Sequence, residues 1–216
     1  SRSRSGRHAM NAPRTLLDHV FDHEARQPER IVLTQPLGAG RVADYRWADV
    51  LDQARRMAAH LQSLGLPRGA RIAILSKNCA HFIMAELAIW LGGGTTVAIF
   101  PTETADTVGW LLGHSEARLL FVGKLDAWER QRSGVPAALP CIALPLAPRT
   151  GFDTWDAIVA RTAPLAANTS TWPLPSGMRY ESCVSQYTDP PVWLSATFQF
   201  VTPLASGSTS RTVSLA

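Results

Sequence analysis

The 216-residue sequence has no Cys-x-x-Cys pair, no unbroken apolar stretch of membrane length and no G-x-S-x-G turn. Each absence closes a class of function. The three cysteines, Cys79, Cys141 and Cys183, are far apart and odd in number, so neither a disulfide framework nor a cysteine zinc site is indicated; this suits a reducing cytoplasm. The longest apolar run, Phe82 to Phe100, contains Glu86 and three consecutive glycines, whereas a membrane helix needs about 20 predominantly apolar residues. The Arg-rich opening is not followed by the apolar segment of a secretory signal. Without a nucleophile elbow, His60, His81 and His114 have no serine or cysteine set up to use them. Excess charge is scarce as well. Arg2, Arg4, Arg7 and Arg14 account for the whole formal charge of +4, leaving a neutral body with no phosphate-tracking surface, so nucleic acid is not an expected partner. Residues 1–14 read as a basic, disordered leader, with Met10 a candidate original start.

What is present is the composition of a folded α/β protein, with 46% hydrophobic and 18% charged residues. The centre of the chain runs from Ala70 to Gly123. Arg71 to Leu75 is a short apolar strand. Asn78 is placed to cap the helix that follows, on which Phe82, Ile83, Glu86, Leu87 and Trp90 fall at helical spacing. Gly92 to Gly94 stop that helix. Thr95 to Phe100 predicts a second strand ended by Pro101, Ala105 to Gly113 a second helix, and Leu119 to Val122 a third strand. Such alternation implies a mostly parallel sheet with helices on both faces.

On the amino-terminal side, Leu16 to Arg26 predicts a helix ended by Pro28. Arg30 to Thr34 and Arg41 to Arg46 predict a hairpin about Gly38 to Gly40. Trp47 to Leu64 has the clearest amphipathic pattern: Val50, Leu51, Ala54, Met57, Ala58, Leu61 and Leu64 form one stripe, with Asp52, Arg55, Arg56 and Gln62 off it. Beyond Val122, a helix over Leu125 to Arg132, a strand over Pro140 to Leu144 and a helix over Thr154 to Ala160 are expected. From Asn168 the sequence becomes rich in Ser, Thr and Pro with no helical stripe, placing a boundary near Ala167. The domain reading is therefore 1–14 leader, 15–167 α/β subdomain and 168–216 a non-matching, irregular tail.

The candidates for chemistry each have a plainer explanation. His19 and His23 share a helical spacing suited to a metal, but no third ligand can be named and a solvated face explains them. Gly92-Gly93-Gly94 follow a helix and precede a strand, the reverse of a phosphate loop's order. His114 helps to end a helix. Glu103, Asp106 and Glu116 show no pairing, and Trp47, Trp90, Trp110 and Phe100 are expected in the core. Ser206-Gly207-Ser208-Thr209 could offer phosphate donors, yet no lysine accompanies it and no helix follows. No catalytic, cofactor-binding or metal-binding residue is assigned.

The run LSKNCAHFIMAELAIWLGGGTTVAIFPTETADTVGWLLGHSEARLLFVGKLD, with YRWADVLDQARRMAAHLQSLGLPRGARIAIL before it, resembles the N-terminal subdomain of the acyl-adenylate-forming (AMP-binding) superfamily. The resemblance is specifically to the long-chain fatty acid–CoA ligase branch, and the similarity spans about Leu16 to Leu165. The resemblance implies a two-step ligase: a fatty acid and ATP give an acyl-adenylate and pyrophosphate, then coenzyme A takes the acyl group as a thioester, with Mg²⁺ as the metal. The family's phosphate loop, Y-T-S-G-S-T-G-x-P-K-G, and its catalytic lysine belong further along. In the Ser206 to Thr209 segment, Ser210 stands for the second glycine, Thr212 for the proline and Val213 for the lysine.

The expectation is thus an N-terminal fragment of an ATP-dependent long-chain fatty acid–CoA ligase, inactive alone and binding ATP, Mg²⁺ and coenzyme A poorly if at all. Cytoplasmic location follows, with peripheral membrane contact and self-association through exposed apolar surface left open. A reading-frame change near Ala167 is one account of the tail. A non-catalytic binding or regulatory module and a small Rossmann-like nucleotide-binding protein are the alternatives.

Overall fold

A computed structural model of the chain describes residues 15–166. The leader, the tail and the Ser206 to Thr209 segment lie outside the described residues, as does Cys183. Helix α1, Leu16–Arg26, opens on a capping box in which Thr15 and Asp18 satisfy each other's backbone N–H groups. Strands β1, Ile31–Gly38, and β2, Arg41–Arg46, form an antiparallel hairpin. Its turn bends through Gly38, Ala39 and Gly40, all at positive φ. Strand β1 runs on past the expected Thr34 and through Pro36, which is tolerated because a two-stranded hairpin has open edges where a missing N–H goes unnoticed.

Helix α2, Trp47–Ser63, leads into a five-stranded, all-parallel sheet. Its strands are β3 (Arg71–Leu75), β4 (Thr95–Ile99), β5 (Leu119–Val122), β6 (Cys141–Ala143) and β7 (Asp153–Thr154), in spatial order β4-β3-β5-β6-β7. Helices α3 (Ala80–Leu91), α4 (Ala105–His114), α5 (Trp128–Gln131) and α6 (Trp155–Arg161) connect or follow them, with a 3-10 turn at Arg132–Gly134. The strand pleat divides the apolar side chains between two cores. Ile72, Ile74, Leu119 and Phe121 face α2, α3 and α6, while Ala73, Leu75, Leu120 and Val122 face α4 and α5. Helices thus cover both faces, as the alternating sequence implies.

Several expectations are corrected. The cap of α3 is Cys79 rather than Asn78, and the first-turn N–H of Ala80 is bonded by Gln35 from the hairpin. The buried residues of α3 are Ala80, His81, Met84, Ala85, Leu87, Ala88 and Ile89, while Ile83 is exposed. That helix is apolar almost all round, so spacing alone could not choose its inward face. Phe100 and Trp110 are exposed, at 63% and 62%, and Trp110 stacks on His114 instead of entering the core. Trp47 and Trp90 are half-buried against the core. Leu64, the last residue of the α2 stripe, is exposed. Arg55, expected off that stripe, is buried and makes a two-pronged bond to Glu24 at 2.6 and 2.5 Å. The helix expected over Leu125 to Arg132 shrinks to α5 and the 3-10 turn, and β7 is a strand too short for any sequence pattern to reveal.

Candidate functional site

In an open parallel sheet, ligands bind outside the carboxyl ends of the strands, where neighbouring connections leave in opposite directions. Here that point lies between β3 and β5: the chain leaves β3 for β4 on one side and continues from β5 to β6 on the other. The crevice is stitched shut. The Ser76 hydroxyl accepts from the Lys124 N–H at 3.0 Å and donates to the Lys77 carbonyl at 2.7 Å. The Lys77 N–H donates to the Lys124 carbonyl at 2.9 Å, and Gly123 N–H to the Leu75 carbonyl at 3.0 Å. A methyl group on Gly123 would fall 2.2 Å from the Ser76 oxygen, so only glycine permits this approach. Outside it, Lys77 pairs with Asp126, and this bond holds the Asp126 carboxyl below its ordinary range. Lys77 and Lys124 are the only lysines in the sequence.

The helix N-termini at this edge are occupied as well. Gln35 Oε1 fills the start of α3 at 2.9 Å from the Ala80 nitrogen, and the Thr104 hydroxyl accepts from the Thr107 N–H at the start of α4. At each of these two helix starts, one backbone donor that would otherwise suit a phosphate is therefore already engaged. Among the described residues no group of three or more His, Cys, Asp or Glu side chains could hold a metal ion.

Elsewhere, a cleft of about 240 Å³ lies at the opposite, amino-terminal edge, between Leu61, Leu66, Arg68, Ile72, Ile89 and Gly94. It is away from the strand ends where such sheets place their chemistry. Gly92 caps α3 and Gly93 follows at φ 82°, so the triple glycine acts as the expected helix stop. His81 is buried edge-on to both Tyr45 and Trp155, and burial pushes its pKa down to about 4 despite the opposing pull of Asp156. His23 stacks on Trp47, His114 ends α4, and burial followed by Arg161 lowers the pKa of His60. Glu116 pairs with Arg71 rather than with another carboxylate. Burial raises the Cys141 thiol to about 11, which keeps it protonated and unreactive at neutral pH. The residues that organise this edge, Gln35, Ser76 and Gly123, carry no motif; only their contacts in the folded chain reveal them.

A family model described as AMP-binding enzyme matches residues 20–211. The chain belongs to the AMP-binding enzyme family. The match continues past Ala167 and takes in Ser206 to Thr209, beyond the described residues. Among curated members of the family, the chain is 35% identical over 119 residues to long-chain-fatty-acid–CoA ligase FadD15 of Mycobacterium bovis, covering 52% of this chain and 20% of that protein. It is 28% identical over 138 residues to acyl-CoA ligase sidI of Aspergillus fumigatus, covering 58% and 23%. Among solved structures, a benzoate CoA ligase from Burkholderia xenovorans superposes with a TM-score of 0.56 at 20% identity, over 68% of this chain and 28% of that one. Acetoacetyl-CoA synthetase from Streptomyces lividans superposes with a TM-score of 0.59 at 22% identity, over 68% and 25%. The shared fold is thus that of the N-terminal part of these AMP-binding enzymes. The chain spans about a fifth of the length of the curated ligases it matches. No helix among the described residues is long and apolar enough to cross a membrane.

Proposed function

We propose that this chain is the supporting N-terminal layer of an ATP-dependent long-chain fatty acid–CoA ligase, and that the 216 residues do not adenylate a fatty acid by themselves. The observation that carries the reading is the closed carboxyl edge of the sheet, in a chain of the AMP-binding family. Adenylation needs donors and cations arranged around the charge that develops on the α-phosphate. Ser76, Gly123 and the Lys77–Asp126 pair instead use their polar groups to lock strand to strand. ATP, Mg²⁺, a fatty acid and coenzyme A are accordingly substrates and cofactors of the whole ligase, held by parts other than residues 15–166. The mycobacterial relative supports the long-chain assignment.

The same closure weighs against a small Rossmann-like nucleotide-binding protein, whose ligand would need the crevice that Ser76 fills. A chimera tests the positive claim: residues 15–166 replace the matching segment of a FadD15-type ligase. Retained formation of long-chain acyl-CoA is expected. A chimera that folds with an unchanged melting curve yet makes no acyl-adenylate would overturn the reading of this segment as interchangeable support.

A further inference from the structure

Among the described residues four strands stand at a sheet edge, and they differ in how they are protected. On the hairpin, β1 carries Pro36, and β2 carries Arg41, Asp44 and Arg46. At one side of the parallel sheet, β7 is two residues long and Asp153 pairs with Arg161. Charges, proline and shortness are the usual means of preventing edge-to-edge association. At the other side, β4 has none of them: from Gly92 to Thr102 the sequence contains no charged residue and no proline before Pro101. Phe100, just beyond the strand, is 63% exposed.

The ladder fixes which backbone groups face outward. Thr95 N–H bonds inward to the Ala70 carbonyl, and the register pairs Arg71 with Thr95 through Leu75 with Ile99. Alternation then turns the N–H and C=O of Thr96 and Ala98 away from β3. These two residues are symmetric about Val97. A second copy running antiparallel, with a two-fold axis at Val97, sets Thr96 opposite the partner's Ala98 and Ala98 opposite the partner's Thr96. All four outward N–H groups and carbonyls on this edge bond in that register. The same register brings Phe100 over the partner's Gly94, which has no side chain to obstruct it, and sets no like charges against each other.

We infer that β4 is a self-pairing edge through which two copies of this chain join their sheets into one continuous ten-stranded sheet. The inference is independent of the ligase assignment, because its readout is assembly rather than turnover.

Sedimentation velocity on the whole 216-residue chain at roughly 50 µM, with amide hydrogen exchange on the same sample, tests it. The wild type is expected to be a dimer, and its Thr96 and Ala98 amides to exchange at least about tenfold more slowly than in Ala98→Lys. That substitution places a charge at an exposed edge position and is expected to give a monomer that still unfolds in one cooperative transition, at a midpoint independent of protein concentration. Thr96→Pro, which removes one outward donor, is expected to give a monomer as well. A wild-type monomer would overturn the inference, including one whose Thr96 and Ala98 amides are protected because another segment of the same chain covers the edge. A dimer that survives both substitutions would overturn it too.

Discussion

Gln35 reaches from the hairpin to the first turn of α3, where its Oε1 accepts the Ala80 N–H at 2.9 Å while its Nε2 donates to the Pro36 carbonyl at 2.8 Å. One buried amide therefore joins the hairpin to the parallel sheet's first crossover helix and occupies a helix N-terminus. Gln35→Leu leaves the Ala80 N–H buried without a partner and is expected to cost about 1–3 kcal/mol. Denaturant unfolding checks this, and Gln35→Glu, which keeps an acceptor, should lose less. Equal losses in the two variants would mean that the cap is not what Gln35 contributes.

Gly123 and Ser76 give a second test. Gly123→Ala pushes a methyl against the Ser76 hydroxyl and should destabilise by roughly 1–3 kcal/mol through overpacking. Ser76→Gly removes the opposing group, so the double variant should be less destabilised than the sum of the two singles. A double-mutant cycle measures that coupling, and strict additivity would contradict the contact.

The ion pair under α1 provides a third. Arg55 and Glu24 have side chains only 11% and 21% exposed. Glu24→Gln leaves the Arg55 charge poorly compensated and is expected to cost about 2–4 kcal/mol, whereas replacing both with well-packed apolar residues should be nearly neutral. Equilibrium unfolding of the single and double variants separates these outcomes.

His81 makes stability depend on pH. Unfolded, its imidazole protonates near the ordinary value of 6.5; folded between Tyr45 and Trp155, it does so only at about 4. Between these values the unfolded chain holds more protons than the folded one, so stability is full above pH 6.5 and falls as the pH drops toward 4. The gap corresponds to roughly 3 kcal/mol at most. His81→Leu should flatten this part of the curve while leaving carboxylate titrations in place. A wild-type curve that stays level from pH 6.5 to 4, once those carboxylates are allowed for, would contradict the burial.

Much of the frame was legible in the sequence, because local signals there agree with tertiary ones. The span of α1, the hairpin partner Arg41–Arg46 and the strands Arg71–Leu75 and Leu119–Val122 coincide with the structure. Each has a strong pattern and a nearby stop. The inward face of α3 was not legible, since apolar residues surround that helix and only the sheet beneath selects Met84 and Ala88 over Ile83. Arg55 has the spacing of a surface residue and becomes buried only because Glu24 arrives from another helix. Phe100 and Trp110 carry a core-like composition but stand at an edge and on an outer helix face. For the site, the family likeness was readable as a dense match, while the closure by Ser76 and Gly123 depends on two strand ends far apart in sequence.

On the proposed function, residues 15–166 support a ligase whose reaction is carried by other parts. ATP–pyrophosphate exchange by the purified 216-residue chain, with a long-chain fatty acid and Mg²⁺ present and a full-length relative as the positive control, tests it most directly. No exchange above the protein-free background is expected; fatty-acid-dependent exchange that rises with the concentration of this chain would contradict it.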